Sequence, residues 1–230
     1  VTNYHIKSFM NKAALALTAA LLAAPAALAD PEIERWKTPH SMGCMMMREC
    51  VEGTYLLDSV SDIEEVLTHP YYDQVRDEAN GIITELRKMG VNVYLSDEKY
   101  FPRGHAGVYY VTGNDMFLND SWVDDPINFI QTLRHEAWHA AQDAMAGTID
   151  NGFMAVIEND KDIPQVYLLQ AEIAYPPNVR PWEQEAKWAG ATYNMTLDVL
   201  KAINSSNGQP WTVLEPTPMT REWLEKNGYL

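Results

Sequence analysis

The sequence predicts an α+β fold: a small antiparallel or mixed sheet of about three strands beside a mainly helical bundle. Three observations lead there. Residues 71–89 and 126–146 place apolar side chains at helical intervals. Residues 91–95, 107–112 and 116–118 alternate, or are rich in β-branched and aromatic residues. The 230 residues are enough for one domain with a sizeable core. The formal charge is −15, from 17 basic and 32 acidic residues. Such a chain repels phosphate backbones and anionic lipid, which argues against nucleic-acid or membrane-surface partners.

The first 29 residues read as a signal peptide. Lys7 and Lys12 precede the apolar run 13–29, which ends in Ala27-Leu28-Ala29 before Asp30. Met10 is an alternative start. A membrane anchor is the competing reading, but the run is short and carries Pro25. The expectation is therefore an exported protein, periplasmic or secreted, with 30–230 as a single domain and no membrane association after cleavage. In an oxidising compartment Cys44 and Cys50, the two cysteines of the chain, are expected to form a disulfide. Their setting, with His40, Met42, Met45, Met46 and Met47, also suits a soft Cu(I) site. That leaves a metal-handling protein as one alternative.

Ser61-Asp62-Ile63-Glu64 reads as a capping box opening a helix that stops before Pro70. In 71–89, Val75, Ala79, Ile82, Ile83 and Leu86 share a face, and Gly90 suits the C-terminal cap. Strand 91–95 follows. Gly113-Asn114-Asp115 is a turn between strand 107–112 and a returning strand 116–118. This hairpin lies just before a helix with Asp125 as N-cap, Pro126 as first residue and Gly147 at the end. Further helices are expected over 163–175, stopped by Pro176-Pro177, and over 182–203 as one unbroken element. The tail 209–230 suggests only a short helix near 220–226.

The helix over 126–146 carries the chemistry. At 100° per residue Asn128, Thr132, His135, His139 and Gln142 form one stripe, opposite Ile130, Leu133, Ala137, Ala141 and Ala144. The spacing of His135 and His139 puts two imidazoles on successive turns facing one way, as a zinc ion requires. Glu136 lies about 100° around, beside the pair, as a general base would. H-E-x-x-H arises by chance in a chain this size on the order of once in a hundred cases.

His135-Glu136-Ala137-Trp138-His139 on such a helix resembles the zincin metallopeptidases. The hairpin-then-helix order is similar to their minimal fold, in which an edge strand runs along the substrate cleft. The resemblance spans about 91–203. It implies a peptidase with catalytic zinc that acts on a peptide or protein. The metzincin continuation is missing, because Gln142 and Met145 stand where glycine and a third histidine belong. The string 147–150, with Asp150, is one residue short of the aspzincin motif. A gluzincin-like third ligand remains, from the helix around Glu183 and Glu185. With 182–203 taken as one helix, Glu183 falls on a polar stripe with Lys187, Asn194, Asp198 and Lys201. Glu185 falls among Trp182, Trp188, Ala189, Met195, Val199 and Ile203. A carboxylate on an apolar face needs a partner, so Glu185 is the expected third ligand and Glu172 the reserve. Ala189 stands where thermolysin-like enzymes have an aspartate that holds a zinc histidine. The expected function is an exported zinc metallopeptidase with Glu136 as general base. The alternative is a silent binding module on the same scaffold, which would have no need of Glu136. His105, Tyr109, Tyr110 and Tyr193 are candidate oxyanion stabilisers by residue type.

Overall fold

The computed structural model describes residues 42–63, 69–146, 154–177 and 179–206. The leader 1–29, His40, Glu64, Gly147, Asp150 and the tail 209–230 lie outside them. The described chain is α+β. Helix α1 (Met42–Met46) and strand β1 (Thr54–Leu56) come first, then a 3-10 turn at Val60–Ile63. Helix α2 (Tyr72–Lys88) leads into β2 (Asn92–Ser96), and the hairpin β3 (Gly107–Tyr110) and β4 (Asp115–Asn119) follows. Helices α3 (Pro126–Met145), α4 (Gln165–Ala174), α5 (Arg180–Ala191) and α6 (Met195–Ser205) complete it. The sheet order is β1-β2-β4-β3. β2 and β4 are parallel, and the two outer pairs are antiparallel. β1 is a strand the sequence did not announce: three residues with two exposed side chains carry little alternation.

The two faces of the sheet have different covers. Val93, Leu95, Tyr109, Met116 and Leu118 join α2, α3 and α6 in the main core. Val108 and Phe117 point the other way, onto Met42, Met45, Met46, Tyr100 and Phe101. Side chains alternate along a strand, so two separate cores follow from one hairpin. Cys44 and Cys50 form a disulfide that closes the turn after α1. The cluster considered for Cu(I) is therefore differently employed: both thiols are oxidised, and Met42, Met45 and Met46 are core filler. No described helix is long and apolar enough to cross a membrane.

Helix α2 matches its expected face, with Val75, Ala79, Ile82, Ile83 and Leu86 all buried and Gly90 left-handed just past the end. In α3 the Asp125 carboxylate accepts from the backbone N–H groups of Ile127 and Asn128 (2.8 and 3.1 Å), with Pro126 as first residue. The expected helix over 182–203 is two helices. It breaks after Ala191, and Asn194 sits at φ 61° before α6. The break is held by a buried ion pair. Glu78 of α2 accepts from Arg134 Nε of α3 (2.8 Å) and from the Asn194 backbone N–H (2.7 Å). Arg134 in turn donates to the Gly190 carbonyl at 3.3 Å.

That pair joins three helices to the α5–α6 turn. Glu78→Ala leaves the Arg134 guanidinium buried without its carboxylate, and removing one partner of such a pair costs about 3–5 kcal/mol. Urea unfolding followed by circular dichroism is expected to show that loss. A midpoint unchanged from the native protein would show that the pair does not hold the helices together.

Candidate metal centre

The centre lies where α3 faces α5. His135 and His139 stand on successive turns of α3, and Glu183 reaches them from the first turn of α5. The two Nε2 atoms are 3.2 Å apart. Glu183 places Oε2 3.3 Å from His135 Nε2 and Oε1 3.7 Å from His139 Nε2. Ligands about 2.0–2.1 Å from a tetrahedral zinc ion lie roughly 3.3 Å from one another. The three side chains thus fit a single metal ion, and the donor set of two imidazoles and a carboxylate is of the kind zinc takes. The geometry does not by itself distinguish zinc from other divalent metals.

The third member is Glu183, and the expected ligand Glu185 lies elsewhere. Two residues along a helix is a turn of about 200°, so the two carboxylates leave α5 in different directions and meet different side chains of α3. Glu185 is fully buried and accepts four hydrogen bonds. Its donors are Trp138 Nε1 (3.1 Å), Gln142 Nε2 (2.7 Å) and the backbone N–H groups of Ile157 (3.1 Å) and Glu158 (2.7 Å). A carboxylate on an apolar face did need partners, and here protein donors supply them. Glu172, the reserve, is exposed on α4. The stripe assigned to Glu183 also dissolved, because Asn194, Asp198 and Lys201 lie beyond the helix break. Only Lys187 still shares its helix.

Glu185 nonetheless serves the centre. Gln142 donates to it through Nε2 and accepts at Oε1 from His139 Nδ1, at 2.8 Å. A histidine that donates Nδ1–H keeps Nε2 free for a metal. The relay from Glu185 through Gln142 to His139 fills the orienting role left open by Ala189. Gln142 was visible on the histidine stripe, but its partner lies 43 residues away in the sequence.

Glu136 occupies the gap between α3 and the sheet edge, where β3 passes very close. A β-carbon on Gly107 would lie 2.9 Å from Glu136 Cγ and from Thr132 Cγ2, and 3.2 Å from the Phe117 carbonyl oxygen. Only glycine allows that approach. The Tyr109 backbone N–H bonds the Glu136 carboxylate. On the other side a β-carbon on Gly190 would lie 3.0 Å from the Gln131 carbonyl and 3.4 Å from His135 Cβ. Glycines thus bring both the strand and α5 against α3.

Burial pushes the Glu136 carboxyl up to about 7, with the Glu183 charge adding and His135 and the Tyr109 N–H opposing. Burial lowers His139 to about 4, so it is neutral at pH 7, the form that binds a metal. For His135, burial is outweighed by the hydrogen bond to Glu183 and the charges of Glu136 and Glu183, and its pKa is raised. Burial opposes ionisation of Glu183, but the two histidines and a hydrogen bond from Tyr175 hold its pKa below the usual range. Burial raises Glu185 to about 8 against its four donors.

The three candidate ligands and Glu136 open into a cavity of about 650 Å³ whose walls include His105, Gly107, Tyr167, Tyr175 and Lys187. Of the tyrosines weighed from sequence, Tyr109 donates to Asp143 in the core (2.7 Å) and Tyr193 is exposed beside the Arg134 guanidinium. Neither these nor Tyr110 lines the cavity, whereas His105 does. Sequence reasoning missed Tyr175, which follows α4 directly and carried no signal beyond its residue type. Compared with family models, curated proteins and solved structures, the chain matches none.

Glu183→Ala is expected to lose bound metal on dialysis. Glu185→Gln is expected to keep it with affinity weakened about 10–100-fold, the usual effect of losing a group that orients a ligand. Metal analysis and competition with a chromophoric chelator measure both. Loss in Glu185→Gln with full retention in Glu183→Ala would return the third ligand to Glu185.

Proposed function

We propose that the chain is an exported zinc metallopeptidase of the zincin type, gluzincin-like in its third ligand, with Glu136 as general base. The observation that carries this reading is the meeting of His135, His139 and Glu183 at tetrahedral ligand spacing, with the Glu136 carboxylate beside them in one cavity. The Cys44–Cys50 disulfide supports an oxidising compartment.

His135, His139 and Glu183 would hold the ion, and Gln142 fixes the tautomer of His139. When bound, zinc supplies Lewis acidity toward a carbonyl and makes water nucleophilic near neutral pH. Glu136 accepts the proton of the attacking water and delivers it to the departing amine. The Tyr109 N–H aims that carboxylate, and Gly107 admits it to the gap. Tyr175 donates its hydroxyl to Glu183 at the cavity wall and so steadies that carboxylate.

Strand β3 supports a peptide as substrate. The Ala106 carbonyl accepts from Asn119 N–H, so in antiparallel alternation Val108 and Tyr110 also bond to β4. Gly107 and Tyr109 then turn their backbone groups to the edge that no described strand pairs with, beside the cavity. With the Tyr109 N–H committed to Glu136, the Gly107 groups are left for an extended chain to add as a strand.

Glu136→Gln keeps shape and removes the base. Zinc content is expected to stay native while hydrolysis of unfolded protein substrates falls about 10²–10⁴-fold. A chelator is expected to abolish native activity, and added zinc to restore it. Native turnover by the Gln variant would sink the peptidase mechanism in favour of a binding module.

A further inference from the structure

Among the described residues that line the cavity, Lys187 is the one lysine or arginine. It stands one helical turn after Glu183. Glutamate followed by lysine four residues later normally pairs on a helix surface. Here the pair does not form, because the Glu183 oxygens are turned to His135 and His139. Among the described residues Lys187 makes no hydrogen bond and no ion pair. Its Nζ lies instead 5.0 Å from the centre of the Tyr175 ring. An aromatic face steadies an ammonium without neutralising it.

The surroundings make this unusual. The chain carries a charge of −15, and the same cavity holds two carboxylates, Glu136 and Glu183. Gln131, Thr132 and Gln170 in its wall carry no charge. Lys187 is also partly withdrawn from water, and burial lowers its pKa although the Glu183 charge raises it. A partly desolvated cation with no anion of its own strongly favours one brought by a ligand.

We propose that Lys187 is a specificity residue that binds a carboxylate of the substrate inside the metal cavity. The carboxylate comes either from the C-terminus of the substrate or from an aspartate or glutamate side chain near the cleaved bond. The proposal rests on the peptidase reading for its ligand class. Lys187 itself takes no part in proton transfer. Its ammonium donates to the carboxylate oxygens and fixes the depth at which the chain lies across the ligand set.

The test is a binding measurement on the zinc-loaded Glu136→Gln protein, which does not depend on turnover. Three N-acetylated alanine-rich hexapeptides are titrated by calorimetry: a free acid, its C-terminal amide, and the amide with one glutamate. At least one acidic form is expected to bind about 10–100-fold tighter than the neutral amide, the scale of a charge-assisted contact. Comparing the two acidic forms identifies the source. Adding Lys187→Met should remove the preference and leave the zinc content unchanged, and Lys187→Arg should restore part of it. Equal binding of all three peptides, or a preference that survives Lys187→Met, overturns the proposal. Acid-dependent binding without cleavage by the native protein would keep the carboxylate site and overturn the peptidase reading. Failure of every peptide to bind would overturn both.

Discussion

The candidate site depends on a carboxylate that does not touch it. Glu185 is fully buried, and its four donors come from α3 and from the backbone at 157–158. A buried carboxylate without such bonds would be very costly, so its presence requires α3, α5 and that segment to meet in one arrangement. Once Trp138 and Gln142 are bound to Glu185, α5 is held against α3 so that Glu183 meets the histidines. Two glutamates separated by one residue thus divide the work. One secures the packing of the helix, and the other uses that packing to reach the ligand set.

The second constraint is thickness. A metal centre between two helices and a strand needs the backbones closer than ordinary side chains allow. Gly190 brings α5 against the turn bearing Gln131 and His135, and Gly107 brings β3 against Thr132 and Glu136. The small residues Ala137, Ala140, Ala141 and Ala144 likewise let α3 lie deep in the fold. Read alone, α3 looks amphipathic with a solvated polar stripe. In the fold that stripe is covered too, with His139 and Gln142 both buried under α5. Its polarity serves a site rather than solvent.

What was legible in the sequence is what local chemistry determines. The C-terminal cap of α2, the N-cap of α3, the hairpin turn and the i, i+4 histidines each follow from residues within a few positions of one another. The disulfide did too, since Cys44 and Cys50 are near neighbours. The misreading of 182–203 as one helix came from one non-local event. Glu78 lies 116 residues from Asn194, and its bond to that backbone N–H helps break what reads as a continuous helix. Every face assignment past Ala191 carried the lost phase, which made Glu183 look like part of a solvated stripe. The inference that Glu185 needed a partner was sound. A sequence does not say whether a buried carboxylate is satisfied by a metal or by protein N–H groups, because here the donors come from distant segments.

The two histidines are not equivalent, and the difference orients the chemistry. His139 has a 4% exposed side chain with Nδ1 tied to Gln142, so it forms the fixed back wall. The His135 side chain is 18% exposed and borders the cavity. Both histidines and Glu183 border one side of the cavity. Glu136 and the β3 edge border that same side. The strand therefore has two duties. The Tyr109 N–H holds the Glu136 carboxylate, and two residues earlier Gly107 turns its backbone groups to the edge that no described strand pairs with. Because both belong to one strand, a chain bonded at Gly107 would lie in fixed register with the carboxylate held at Tyr109. Catalytic base and substrate register would then be set by a single rigid element.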